Sequence, residues 1–369
     1  MKSIFISRAK RVSPAAIVAL AALTLAVAGC ATTPSSGAAG AVTFHVDVGF
    51  EDTAQAMEAE AFFPNNLTVN VGDSVVFTMR SHEPHTITFN APKPIPEPFL
   101  PQPDRSLFAN PAIFFPSPLS NPGDPKAPVA LKVSFDGKAF VSSGFLQKVG
   151  DGMTVTFTVP GTYQVLCELH SESMKATITV NAAGSVRPMT DADYAVAAAA
   201  QEKDAQAKAS ALLAGVTIPA PVANADGSTA YTVYAGVGST SDGVDYMRYV
   251  GGEELSIKVG DSVTFAMGKN GPGVPHTITF LSGTADPDFV LPQPQFLAPP
   301  KLLVNPKVLM PAPLPPAPYD GTGYYNSGLL LAGGPTPQAF TVTYTKAGTF
   351  RYQCIIHDED GMKGTIVVQ

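Results

Sequence analysis

The chain repeats itself, and the repeat carries its reactive residues. The pentapeptide His-Thr-Ile-Thr-Phe occurs at His85 to Phe89 and again at His276 to Phe280. Well downstream of each, a cysteine is followed by a histidine and then a methionine: Cys167, His170, Met174, and Cys354, His357, Met362. Three further segments match in the same order. Val71-Gly72-Asp73-Ser74-Val75 matches Val259 to Val263, Gly161-Thr162-Tyr163 matches Gly348-Thr349-Phe350, and Met174 to Ile178 matches Met362 to Ile366. Kept order means tandem duplication, which sets the number of structural units. At 369 residues each copy is long enough to bury a core of its own. A histidine so far from its Cys-His-Met triplet meets it only if the fold unites distant segments.

Within each copy the pattern is that of β-structure. Thr154 to Val159 and Thr341 to Thr345 alternate polar and apolar residues, the period of a half-buried strand. A Pro160-Gly161 turn follows the first, and Lys346-Ala347-Gly348 follows the second. With period two, Tyr163, Val165 and Cys167 share one face, as do Phe350, Tyr352 and Cys354. That face is expected in the core, with each cysteine at a strand end. Thr177 to Val180 and Thr365 to Val368 then read as closing strands.

The intervening segments differ in composition. Residues 183–228 form a linker in which an Ala-rich stretch, opened by Thr190 and Asp193 as a capping box, predicts a helix over about Asp191 to Leu213. It is expected to be a spacer packed on one copy. Each copy also holds a Pro-rich insertion, 91–130 and 286–318, both containing Leu-Pro-Gln-Pro. Proline donates no ladder hydrogen bond, so central strands are not expected there. Phe99, Phe108, Phe114 and Phe115 argue for a loop packed over its own barrel rather than an exposed segment.

The amino terminus reads as a targeting segment. Lys2, Arg8, Lys10 and Arg11 precede an apolar run from Ala15 to Val27 that is too short for a comfortable membrane span. Its end, Val27-Ala28-Gly29-Cys30, resembles the lipobox of bacterial lipoproteins. The resemblance implies a signal peptide over 1–29, lipidation of Cys30, a tether over 30–40, and an exported protein anchored to a bacterial membrane. The other two of the three cysteines are Cys167 and Cys354, so no disulfide is expected. The chain carries a net charge of −7, and loss of residues 1–29 removes four positive and no negative charges, giving −11. That argues against nucleic acid and for a basic protein partner.

One thiolate, two imidazoles and one thioether form a soft, mixed donor set, the one a blue copper centre uses with His, Cys and His in a plane and a weak axial Met. The four residue types in this order resemble the cupredoxin family of plastocyanin and azurin. The resemblance implies an all-β fold of two tandem Greek-key sandwiches, 41–182 and 229–369. It implies two mononuclear type 1 copper sites, one on His85, Cys167, His170 and Met174 and one on His276, Cys354, His357 and Met362, and electron transfer as the function. The second copy has the plastocyanin spacing from Cys354 to Met362. The first has one residue fewer between His170 and Met174, intermediate between plastocyanin and amicyanin loops, so two different potentials are expected.

The histidine census weighs against an enzyme. Multicopper oxidases need His-x-His pairs for a trinuclear cluster and copper nitrite reductases need three further histidines. This chain has six histidines, four already assigned and none so paired. The alternative function is extracytoplasmic copper delivery without electron transfer. Of the remaining histidines, His45 aligns with Tyr234 and reads as structural, and His82 reads as a solvated loop residue. Glu168 and Glu172 flank the first site, and Asp358, Glu359 and Asp360 the second. Beside an exposed histidine edge they would attract a cationic redox protein resembling a c-type cytochrome.

Overall fold

The computed structural model describes residues 40–116, 128–292, 301–314, 316–333 and 339–369. Cys30, the targeting segment and nearly all of the tether lie outside them. The described chain is mostly β, in several sheets, with one 24-residue helix between the halves.

Each half packs two sheets face to face. In the first, Thr43–Asp52 pairs with Ser74–Met79, then Gly152–Phe157 and Ala130–Phe135 follow. Facing them, Ser171–Asn181 lies between Asn66–Asn70 and Gly161–Cys167, with Thr88–Phe89 beyond. Alternation decides which side chains point inward. Val75, Phe77 and Met79 are buried while Ser74, Val76 and Thr78 are half-buried. Phe44, Phe77, Phe89, Phe135 and Phe157 fill the space between the sheets, each contributing about 1.5–3 kcal/mol by leaving water. Cys167 and Met174 belong to this core, as Cys354 and Met362 do to the second.

The repeated Val-Gly-Asp-Ser turn has a structural reason. Gly72 and Gly260 adopt φ of 92° and 95°, open to glycine at low cost. The following aspartate turns back into the protein: Asp73 accepts from the amides of Val42 and Asn70, and Asp261 from those of Thr229 and Lys258. Asp73 also accepts two hydrogen bonds from Arg187, at 2.8 and 2.6 Å. Burial pushes its carboxyl up, but these donors outweigh burial and leave it below the ordinary value.

Three expectations need correction. The helix runs Asp191–Ala214 with the capping box in place, yet it is not a spacer on one half. Its Ala198, Ala205 and Ala209 pack with Met57, Ala59 and Phe63 of the first half and with Val237, Val244 and Tyr246 of the second. Small side chains let the helix lie close to a seam, because Met57–Phe63 and Val244–Val250 pair as antiparallel strands and join the halves into one sheet. The Pro-rich insertions do not each fold over their own barrel. Phe99–Pro101, Leu107–Ala109, Leu302–Val304 and Val290–Pro292 form a sheet between them, with Leu303 opposite Phe108. The two inner strands lack proline, so the missing donors fall on the outer ones. Last, His45 opposes Val76 as Thr232 opposes Thr264, so its counterpart is Thr232 rather than Tyr234. Its ring pairs with Asp191 at 3.0 Å in the first turn of the helix.

Candidate metal centres

Cys167 ends the strand Gly161–Cys167 and Cys354 directly follows the strand Gly348–Gln353, and each upstream histidine reaches its cysteine from a neighbouring segment. His85 bridges Leu146 by antiparallel backbone hydrogen bonds, and His276 pairs with Leu330. The donor atoms converge alike in both halves. His85 Nδ1 is 3.1 Å from His170 Nδ1, and Cys167 Sγ is 3.9 and 3.5 Å from the two nitrogens. In the second half the distances are 3.0, 3.9 and 3.5 Å for His276, His357 and Cys354. The corners of such a triangle lie about 2 Å from a common centre, a metal–ligand bond length. The donors therefore fit a copper ion on geometry as well as chemistry. Met174 and Met362 are fully buried in the same cores.

The surroundings fix these donors. The amide of Thr86 donates to Cys167 Sγ at 3.3 Å, and that of Thr277 to Cys354 Sγ at 3.4 Å. The second imidazole nitrogen of His85 meets Ser81 Oγ at 3.2 Å, and that of His276 meets Asn270 Oδ1 at 3.3 Å, which sets ring orientation. Two residues absent from the sequence reading support those rings: Gly49 at φ 70° and Gly236 at φ 83°. Each sits at a register shift in its strand, and a Cβ there would run into the histidine ring. Burial raises both thiols, but the imidazoles of His170 and His357 outweigh it and hold Cys167 and Cys354 well below the ordinary thiol value. The lowered thiol values favour the thiolate form that a metal ion binds, and metal uptake displaces protons remaining on the donors.

The expected exposed histidine edge is absent. His357 is 1% exposed. His357 Nε2 lies 3.4 Å from one oxygen of Glu83, and His170 Nε2 lies 3.7 Å from the other and 3.4 Å from Glu60. The two centres therefore face each other across one carboxylate. Burial raises Glu83, but the two imidazoles outweigh burial and keep it well below the carboxylate range. Glu83 stands two residues before His85, where the second copy has Val274 before His276, an asymmetry visible in the sequence.

The flanking acids are not all solvated either. Glu168 is buried and accepts from Thr88 and Ser142; Asp360 is buried, with its carboxyl pushed up to about 6 by burial and by Glu83 and Glu51. Glu359 is exposed and Asp358 half-buried. At the seam Glu58 opposes Asp245, both buried and both raised well above the usual range, chiefly by burial. His82 is an exposed loop residue, as expected, and its ring meets Glu51 at 2.8 Å.

Residues 46–181 match the family of copper binding proteins, plastocyanin/azurin family. The matched stretch lies within the first half and includes His85, Cys167, His170 and Met174. It is 28% identical over 121 residues to plastocyanin of Ulva prolifera, across 32% of this chain and 86% of the algal protein. Among solved structures, a methionine-to-alanine mutant of amicyanin in its Cu(I) form is 25% identical over 42% of this chain and 97% of its own, with a TM-score of 0.21. A mutant fern plastocyanin is 22% identical over 37% of this chain and 99% of its own, also with a TM-score of 0.21. With two converging His-Cys-His clusters, each with a methionine buried in the same core, and with this match over the first of them, the protein is a blue copper electron-transfer protein with two type 1 copper sites.

Proposed function

We propose that the protein is an exported, lipid-anchored carrier made of two tandem Greek-key sandwiches, 41–182 and 229–369, whose two copper centres exchange electrons with each other. Copper held by these ligands supplies a one-electron couple. The chain supplies the path: His170 and His357 present their outer nitrogens to the same carboxylate of Glu83, and no other residue contacts both in this way among the described residues. That shared contact carries the reading. Burial of the His357 edge keeps water from reorganising around the path.

The lipobox-like Val27 to Cys30 supports the anchor, and the net charge of −7 supports a cationic redox partner. Such a partner must dock elsewhere than on the occluded His357 edge. The doubly oxidised protein should show magnetic dipolar broadening between two Cu(II) spins. Replacing Cys167 with serine should abolish it while leaving the second centre's signal. Two signals without mutual broadening would overturn the facing arrangement.

A further inference from the structure

We propose a third metal site, distinct from the two copper sets, formed by Glu51, His82 and Asp360 and suited to a divalent first-row transition ion. One ligand atom from each of the three lies within 4.8 Å of the other two. Glu51 comes from the end of the strand Thr43–Asp52 and His82 from the loop leading to His85. Asp360 comes from the loop between His357 and Met362 in the other half. The site therefore exists only because the halves are packed together.

Two independent observations point to a cation there. First, Asp360 is 3% exposed and its Oδ1 has no hydrogen-bond partner among the described residues. A buried carboxylate oxygen left unpaired costs about 1–3 kcal/mol or more, and a bound ion removes that cost. Second, Glu58, 1% exposed and close enough to Asp360 to interact with it electrostatically, also has a buried carboxyl oxygen with no hydrogen-bond partner among the described residues.

The donor types narrow the ion. One imidazole and two carboxylates suit zinc, copper(II), cobalt or manganese better than calcium or magnesium, which take all-oxygen shells. His82 Nδ1 and Glu51 Oε2 are 2.8 Å apart, close to the separation of adjacent ligands each about 2 Å from an ion. The His82 side chain is 42% exposed, giving an ion a way in, while Glu51 is nearly covered.

The test uses full-length protein loaded with copper, the intensity of its thiolate-to-copper band recorded before and after exposure to Zn2+, followed by desalting and metal analysis. Wild type should retain one zinc per chain more than either His82→Ala or Asp360→Asn, whatever the occupancy of the copper sets, with the band unchanged. Calorimetry should show the same event missing from both variants. The proposal is overturned if wild type and variants retain equal zinc. It is also overturned if wild type gains zinc only as the band disappears, since the ion is then entering a copper set. An intact band in both variants shows that they are folded.

Discussion

Replacing Glu83 with glutamine removes one negative charge shared by both centres and keeps the shape of the side chain. Its oxygens lie 3.7 Å from His170 Nε2 and 3.4 Å from His357 Nε2. An imidazole ring and a metal–nitrogen bond of about 2 Å place the charge about 7 Å from each metal position. At an effective dielectric of about 20 a unit charge at that range is worth about 2 kcal/mol, or about 100 mV for a one-electron couple. A nearby anion favours the more positive oxidised ion, so its loss should raise both potentials. A redox titration of wild type and Glu83→Gln, followed in the thiolate-to-copper band, should show both centres moving up by similar amounts. A shift at only one centre, a shift under about 20 mV at both, or a downward shift would refute the shared-carboxylate reasoning.

Other residues carry their own consequences. Gly49→Ala forces a side chain at φ 70° into the His85 ring, so it should cost about 2–4 kcal/mol in denaturant unfolding and alter the spectrum of the first centre only. Arg187→Ala leaves buried Asp73 without its cation and should cost about 2–3 kcal/mol by thermal or denaturant melting. Asp73 has a folded value below its unfolded one, so it stabilises at pH above the unfolded carboxylate value of about 3.9 and loses that contribution as pH falls through its folded value. Wild type should therefore lose stability on acidification below pH 4 more steeply than Arg187→Ala. Ala205→Leu places bulk where the helix meets both halves and should destabilise by about 1–3 kcal/mol, since small residues permit the close approach at the seam.

The sequence carried most of the ligand chemistry because that chemistry is local or repeated. A Cys-x-x-His at a strand end and an identical pentapeptide upstream need no knowledge of packing. Strand periodicity placed Cys167 and Cys354 inward, and the Thr190 capping box placed the helix start. What the sequence hid depends on how one half meets the other. The pairing of Glu58 with Asp245, the helix spanning the seam and the joint sheet of the two insertions are contacts between distant segments that no period encodes. Glu83 belongs to no repeated motif and gains its role only when His357 of the other half is set beside it. Gly49 and Gly236 were legible in principle as matched glycines inside strand patterns, a known mark of a bulge. His45 was misaligned because the strand pairing, not spacing from the motif, decides equivalence.

The most direct test of the account is copper content measured together with the thiolate-to-Cu(II) band. Two type 1 sites predict two coppers per folded chain and an intense visible band. Cys167→Ser should lose one copper and about half the band, leaving the centre on Cys354 intact. A single copper per chain in wild type, or binding of Cu(I) alone with no visible band on oxidation, would contradict the claim that both halves are blue copper centres.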